Sequence, residues 1–269
     1  MAATVIDGRA VAARVRARVA DDVAAIVAAG GRRPALATIL IGSDEDSARY
    51  VASKHRASDE AGIATVSHEL GADVAQVEVE ALIAGLNADP AVSAILLQLP
   101  VPAHLDGTHL TGLVAADKDV DGLTAESAGR LALGRDGLRP CTPLGVIELL
   151  AEAGARLDGA EAVVIGRSNL FGKPMAALLL AADATVTSCH THTRDLAAVC
   201  RRADVLVVAA GSPGLVRGDW VKPGAVVIDV GLTYTADGPR GDVAFDEVAE
   251  VAGAITPVPG GVGPMTIAC

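Results

Sequence analysis

The feature that most constrains the fold is a regular alternation of short apolar runs with longer segments of helical character. The clearest apolar runs are Ala35 to Ile41, Ser93 to Leu99, Ala162 to Ile165 and Val205 to Ala209. Helical segments separate such runs, beginning with the alanine- and arginine-rich stretch from Arg9 to Ala29. Because strands that alternate with helices form parallel sheets, the sequence predicts an α/β fold.

A second pattern divides the chain. The stretch from Asp117 to Arg139 is rich in glycine and charge, and a new series of strands and helices follows it. The length of 269 residues suits two domains at the usual size of about 150 residues each. We therefore expect a boundary near residue 140, followed by a helix over Pro143 to Ala153 that Thr142 caps. The Pro- and Gly-rich segment 256–264 is predicted to be a packed loop.

Composition excludes several classes of protein. The net charge is −11, which leaves no basic stripe for a nucleic acid. The hydrophobic fraction is 51%, yet no run reaches the roughly 18 apolar residues that a membrane span needs. The N-terminus lacks the pattern of a signal peptide. The four cysteines form no C-x-x-C pair, so we expect reduced thiols in a cytoplasmic protein.

The second half contains a candidate dinucleotide site. The strand Ala162 to Ile165 leads into a Gly-x-Ser-x-x-x-Gly-x-Pro turn that begins at Gly166, with Pro174 expected at the first position of the next helix. Such a turn lets backbone N–H groups face a pyrophosphate. The following strand, Thr185 to Ser188, has no acidic residue at its end, which favours NADP over NAD. Arg167 and Thr191 are then the expected phosphate contacts.

Two sequence patterns resemble metal sites, but we interpret both as parts of ligand-binding regions. His190-x-His192 has no third ligand near it in the sequence, and we assign it to the surroundings of the cofactor. The segment Asp117-x-Asp119-x-Asp121-Gly122 begins like a calcium loop, but its twelfth position is Ala128 instead of glutamate. We expect no metal, and a polar ligand-binding loop at this segment.

The first half holds polar residues with the spacing of a ligand site. Tyr50 and Lys54 are four residues apart on a predicted helix and therefore share a face. Gln98 ends an apolar strand, where an apolar residue is the usual choice. Because ligands bind at the carboxyl ends of parallel strands, Tyr50, Lys54, Gln98 and Asp121 are expected at one cleft.

Taken in order, these motifs resemble the bifunctional methylenetetrahydrofolate dehydrogenase/methenyltetrahydrofolate cyclohydrolases. The resemblance extends over essentially the whole chain. The matching blocks are Tyr50-x-x-x-Lys54, Gln98-Leu99-Pro100-Val101-Pro102, Lys118 to Gly122, Arg139 to Pro143, Gly166-Arg167-Ser168 with Pro174, and Pro257 to Thr266.

The resemblance implies two domains and two reactions. Residues 1–139 and 256–269 would form a folate-binding catalytic domain, and residues 140–255 a Rossmann-type NADP-binding domain, with a cleft between them. A hydride would pass from 5,10-methylenetetrahydrofolate to NADP, and water would then open the methenyl product to 10-formyltetrahydrofolate. The resemblance also implies a place in one-carbon metabolism and purine biosynthesis.

It further implies roles for individual residues. Lys54 would carry protons during hydrolysis, Gln98 would orient Lys54, Tyr50 would stack on the folate, and Asp121 would hydrogen-bond the pterin ring. The remaining assignments are contacts to NADP and to substrate. They are Gly166, Arg167, Ser168, Thr191 and Leu232 for NADP, and Pro259, Gly260 and Gly261 for substrate.

The sequence departs from the family at three places. The asparagine usual shortly after Gly122 is absent, and Thr191 stands where serine is commoner. Family members generally continue past Thr266 into a further helix, whereas this sequence ends at Cys269, and we expect an effect on stability or folate binding. The resemblance implies a homodimer formed through the cofactor domains.

Two other functions remain open. A dehydrogenase of small carbonyl acids would use a similar two-lobed fold, but it would give Gln98 no role. A nucleotide-sensing protein would bind the cofactor without turnover, and it would not need Tyr50, Lys54, Gln98 and Asp121.

Overall fold

A computed structural model describes residues 2–269, which fall into two compact units. The three-stranded unit is Arg14–Arg139, and the six-stranded unit consists of the residues up to Ala13 together with Pro140–Cys269. The strands are β1 Thr4–Val5, β2 Ala35–Ile41, β3 Ala64–Leu70, β4 Ala94–Leu97, β5 Glu161–Ile165, β6 Thr185–Cys189, β7 Val205–Val208, β8 Val226–Asp229, β9 Thr233–Thr235, β10 Gly238–Arg240 and β11 Ala254–Ile255. The α-helices are α1 Gly8–Ala28, α2 Glu45–Glu60, α3 Gln76–Ala88, α4 Gly107–Gly112, α5 Ala125–Ala132, α6 Cys141–Glu152, α7 Gly172–Ala181, α8 Leu196–Cys200, α9 Phe245–Ala249 and α10 Val262–Ala268.

The three-stranded unit is built on a parallel sheet with the order β3-β2-β4. Its central strand, β2, runs over the predicted residues, and Ile39 on it is fully buried. Ile83 of α3, Ile95 of β4 and Leu110 of α4 pack in the same core. The buried centre of the sheet thus explains why β2 reads as an almost continuous apolar run.

The six-stranded unit is a parallel sheet with the order β1-β11-β8-β7-β5-β6. The strand order reverses at β5, because β6 pairs with one side of β5 and β7 with the other. In sheets of this kind, ligands bind beyond the carboxyl ends of the strands where the order reverses. The predicted α/β fold with parallel sheets is confirmed.

Two predicted helix starts are wrong by two residues. Helix α6 begins at Cys141 after Pro140, and the Thr142 hydroxyl bonds Thr266 Oγ1 at 2.9 Å instead of capping the helix. Helix α7 begins at Gly172, so Pro174 is its third residue and not its first. Proline fits there because N–H groups of the first turn need no partner within the helix.

The C-terminal segment differs from the predicted loop. It ends in α10, which packs against α6 within the six-stranded unit. The residues up to Ala13 belong to that unit as well, since β1 pairs with β11. The compact units therefore differ from the predicted division, which grouped residues 1–139 with 256–269. Strand pairing and helix packing set this grouping, and neither leaves a periodic signal in so short a segment. Within residues 2–269, no helix has both the length and the apolar character to cross a membrane.

Candidate active site

Three of the predicted site residues meet within the three-stranded unit. Tyr50 and Lys54 lie on α2, and the Lys54 ammonium nitrogen is 4.7 Å from the centre of the Tyr50 ring. The same nitrogen is 3.3 Å from Oε1 of Gln98, which follows β4. All three side chains are half-buried. The unit therefore brings an amine, an amide oxygen and an aromatic face together.

The backbone and its own amide fix the orientation of Gln98. Its N–H donates to the carbonyl of Ile39 at 2.9 Å, which extends the pairing of β4 with β2 by one residue. Its side-chain Nε2 donates to the carbonyl of Leu99 at 2.6 Å. With Nε2 held in this way, Oε1 is the atom that faces the amine of Lys54. An apolar residue at position 98 would present no acceptor to that amine.

The start of α2 is fixed by a helix cap. The Asp44 carboxylate accepts a hydrogen bond from the Ser47 N–H at 2.7 Å. Hydrogen bonding by Ser47 lowers the pKa of Asp44. An N-cap of this type satisfies N–H groups that have no partner within the helix. The cap thus sets where α2 begins, less than two turns before Tyr50.

Asp121 lies on a loop that the chain holds at two places. The loop is bridged to β4 through Ile95 and Asp119. The Asp119 carboxylate is buried and accepts from the N–H groups of Leu123 and Thr124. The Lys118 amine donates to three carbonyls at and beyond the end of α3. Lys118 and Asp119 therefore fix the loop in place by their hydrogen bonds. Asp121 is half-buried on this loop.

In the six-stranded unit, the glycine turn after β5 depends on close backbone approach. Gly166 has φ +120°, and a Cβ there would lie 2.4 Å from the carbonyl oxygen of Ala209, the residue after β7. A Cβ on Gly172 would lie 2.2 Å from the Gly166 oxygen. The Ser168 hydroxyl accepts from the Phe171 N–H at 3.1 Å. This turn sits where the strand order reverses, which is the place that a dinucleotide takes in such sheets.

The residues predicted to hold the extra phosphate of NADP lie beyond neighbouring strands. Ile165 pairs with Cys189, and Arg167 and Thr191 each follow by two residues. Both are exposed. The segment after β6 is folded by its own contacts, because His190 Nδ1 accepts from the His192 N–H at 3.2 Å. Among residues 2–269 the structure holds no group of three or more side chains suited to a metal ion.

A cavity of about 440 Å³ lies within the six-stranded unit. The predicted cofactor residue Leu232 and the predicted substrate residues of the C-terminal segment line it. They are Pro259, Gly260 and Gly261.

Contacts within the chain itself account for glycine at positions 260 and 261. A Cβ on Gly261 would lie 2.6 Å from the Pro257 oxygen, and Gly260 has φ +105° beside the Arg9 guanidinium.

Sequence reasoning missed a pair of buried carboxylates beside this cavity. Asp229, at the end of β8, accepts from the N–H groups of Gly231, Asp242 and Val243. Asp242 accepts from Ala210, Gly211 and Ser212. Burial raises the pKa of Asp229 to about 6, and the neighbouring Asp242 charge adds to the rise. The signal in the sequence is an apolar strand that ends in aspartate.

Comparison with known families covers both units. The model of the tetrahydrofolate dehydrogenase/cyclohydrolase catalytic domain matches residues 6–121. The model of the NAD(P)-binding domain of the same family matches residues 140–269.

Curated relatives and solved structures agree with these matches. The chain is 61% identical to bifunctional protein FolD 2 of Frankia alni, over 100% of this chain and 93% of the relative. It is 54% identical to bifunctional protein FolD of Rhodopseudomonas palustris, with the same coverage. The FolD methylenetetrahydrofolate dehydrogenase/cyclohydrolase of Campylobacter jejuni superposes with a TM-score of 0.96 at 44% identity, covering 99% of this chain and 95% of that one. The Trypanosoma brucei FolD enzyme, solved with NADP and an inhibitor, superposes with a TM-score of 0.93 at 42% identity. The match covers 100% of this chain and 94% of that one.

Proposed function

The chain belongs to the tetrahydrofolate dehydrogenase/cyclohydrolase family, and we propose that it performs both reactions of that family with Lys54 as the residue on which the second one depends. It oxidises 5,10-methylenetetrahydrofolate with NADP and then hydrolyses the methenyl product to 10-formyltetrahydrofolate. The observation that carries the assignment is the contact of the Lys54 amine with Gln98 Oε1 and the Tyr50 ring. A small-acid dehydrogenase would give Gln98 no role, and a nucleotide sensor would not need any of the three residues.

Residues of the six-stranded unit bind the cofactor. When NADP is bound there, it would supply the acceptor for the hydride that the substrate loses. Gly166 and Ser168 shape the turn that would admit its pyrophosphate, and Gly172 fits this role because a Cβ there would lie 2.2 Å from the Gly166 oxygen and fill the turn. Arg167 and Thr191 would hold the additional phosphate, and Leu232, which lines the cavity, would contact the cofactor.

The first reaction needs little acid or base from the protein. The folate nitrogens share the positive charge that develops as the hydride leaves, so the task of the protein is to align donor and acceptor. Tyr50 stacks on the folate, and Asp121 hydrogen-bonds the pterin ring. Pro259, Gly260 and Gly261 add substrate contacts.

The second reaction needs proton transfer. The oxygen of water bonds to the methenyl carbon, the bond from that carbon to N5 breaks, N5 gains a proton and one further proton is released. The Lys54 amine is the group that moves protons in this step, and Gln98 Oε1 holds it in place. Positioned acids and bases contribute about 10²- to 10⁴-fold to such steps.

The experiment follows NADPH and the methenyl product separately by absorbance after 5,10-methylenetetrahydrofolate and NADP are mixed with the protein. We expect NADPH to rise while the methenyl product fails to accumulate. The Lys54→Met variant is expected to form NADPH and accumulate the methenyl product, since hydrolysis falls by about 10²-fold or more. Full hydrolysis by Lys54→Met would refute the role of Lys54. Bound cofactor without any NADPH would instead favour the sensor or the small-acid dehydrogenase.

We also propose a cytoplasmic homodimer that joins through the six-stranded unit and supplies a one-carbon donor for purine biosynthesis. Strand β6 is outermost in its sheet, and Leu180 on the neighbouring α7 is 65% exposed, which supports an interface there. Within residues 2–269, no disulfide joins the four cysteines. A sedimentation mass of two chains at micromolar concentration is expected, and a mass of one chain would contradict the dimer.

A further inference from the structure

A contact beside Lys54 has no role in the mechanism so far. The Thr38 hydroxyl lies 2.8 Å from Nε2 of His55, the residue that follows Lys54 on α2. Thr38 is fully buried in the middle of β2, whose other side chains are all apolar. A buried hydroxyl is costly unless it forms a hydrogen bond. The bond to His55 therefore stabilises Thr38 and also ties α2 to the central strand.

The helix has few other anchors on that side. The buried residues of α2 are Ser47 and Val51, and Ser47 belongs to the helix cap. His55 follows Val51 by four residues, just as Lys54 follows Tyr50, so each pair shares a face of the helix. Val51 and His55 thus form the pair that fixes α2 against the interior. Tyr50 and Lys54 are carried on the adjacent face.

Both partners of the Lys54–Gln98 contact are consequently fixed to consecutive residues of one strand. Gln98 donates its backbone N–H to the carbonyl of Ile39. Thr38, the preceding residue of β2, bonds the neighbour of Lys54. The distance from the Lys54 nitrogen to Gln98 Oε1 is 3.3 Å, which is just beyond the usual range of 2.7 to 3.2 Å, so a small outward shift of α2 breaks this contact.

We propose that Thr38 and His55 are positioning residues for the hydrolysis step, because their hydrogen bond sets where α2 holds the Lys54 amine relative to Gln98. This proposal rests on the proposed role of Lys54. Hydride transfer depends on the alignment of substrate and cofactor, and it does not need the Lys54 amine at one fixed distance from Gln98. Loss of the Thr38–His55 bond should therefore separate the two activities.

The test measures both activities in single variants that remove one partner. Thr38→Val keeps the shape and β-branching of the side chain but removes the hydroxyl, and His55→Leu removes the ring nitrogen. For each we expect the kcat of methenyl hydrolysis to fall about tenfold with KM nearly unchanged, since sub-ångström misplacement costs rate without loss of substrate contacts. NADP reduction should stay within about twofold. The double variant should lose no more than either single one, because both remove the same bond.

Conservative variants and a matched control separate positioning from stability. Thr38→Ser keeps the hydroxyl, and His55→Gln places an amide near the position of Nε2, so both should restore hydrolysis to within about twofold of the parent. Ser53→Ala is adjacent to Lys54 and removes two hydrogen bonds within α2, one to the Arg49 carbonyl and one from the Arg56 guanidinium. It should leave both activities unchanged.

Several outcomes would overturn the proposal. If the ratio of hydrolysis to NADP reduction is unchanged in His55→Leu, the proposal is wrong. It is also wrong if both activities fall equally in Thr38→Val and His55→Leu. Should Thr38→Val fail to fold, His55→Leu and His55→Gln still decide, since position 55 is only half-buried on the helix. Lys54→Met in the same assay distinguishes the two hypotheses. If it keeps full hydrolysis, the role of Lys54 itself fails.

Discussion

The two units build their candidate sites from different parts of the chain. In the three-stranded unit, the site consists of side chains: the Lys54 amine, the Gln98 amide and the Tyr50 ring. In the six-stranded unit, the turn after β5 is made of backbone, and Gly166 serves by having no side chain. A reaction that moves protons needs particular functional groups, whereas a cofactor that must be aligned needs a shaped surface. The difference predicts which substitutions affect which reaction.

We predict the largest loss of activity for a substitution in the glycine turn after β5. Gly166→Ala would place a Cβ 2.4 Å from the Ala209 oxygen at a φ of +120°, and we expect NADP-dependent oxidation to fall about 10²- to 10³-fold. Hydrolysis of supplied methenyltetrahydrofolate should remain. Gly85→Ala, on α3 with open space around its Cβ position, is the control and should keep both activities. Equal loss of both reactions in Gly166→Ala would remove the contrast between the units.

The buried carboxylate of Asp229 makes the stability of the six-stranded unit depend on pH. The pKa of Asp229 is raised to about 6 from an ordinary value of 3.8, so the folded state binds more protons than the unfolded state between these values. The contribution of Asp229 to stability is therefore present at low pH and is lost as the pH rises through 6. We expect the stability deficit of Asp229→Asn to shrink from pH 4 to pH 7 by up to about 3 kcal/mol. Denaturant unfolding at several pH values measures this, and a deficit that grows with pH would contradict it.

Gln98→Met tests the side-chain site. The variant keeps the backbone bond to Ile39 but removes the acceptor for Lys54, and hydrolysis should fall about tenfold while NADP reduction changes less. Steady-state rates with each substrate check this. Gln76→Met, on α3, is the matched control and should leave the ratio of the two rates as it is. A larger loss in NADP reduction than in hydrolysis would argue against the assignment.

The smallest effect concerns the start of α2. Asp44→Ala removes the cap on the Ser47 N–H and should lower the free energy of unfolding. Because the pKa of Asp44 is lowered by hydrogen bonding to Ser47, this contribution exists above the ordinary pKa and is lost as the pH falls. Asp46→Ala removes only an exposed pair with Arg49 and should change stability by less than about 0.5 kcal/mol. Equal effects of the two substitutions in thermal unfolding would contradict the role of the cap.

The fold was predictable wherever the pattern in the sequence is local. The apolar run of β2 and the spacing of Tyr50 and Lys54 depend only on neighbours in the chain, and the strand and the contact both occur. Strands β1 and β11 have two residues each, and pairing between distant segments creates them. No periodicity exists in so few residues, so sequence reasoning did not find them.

The same limit applies to the candidate site. Gln98 stood out because it is a polar residue at the end of an apolar run. Thr38 is also polar within an apolar run, but its partner His55 is identified only when α2 packs on β2. The partners of Asp229 are backbone N–H groups contributed by a distant loop. Residues whose role depends on a long-range partner require the structure.

The most direct test of the division between the units is one assay applied to Lys54→Met and Gly166→Ala together. Each protein is given 5,10-methylenetetrahydrofolate with NADP, and separately methenyltetrahydrofolate, and both rates are measured. We predict opposite losses: Lys54→Met keeps oxidation and loses hydrolysis, and Gly166→Ala keeps hydrolysis and loses oxidation. Loss of both activities in both variants, with each protein folded, would contradict this prediction.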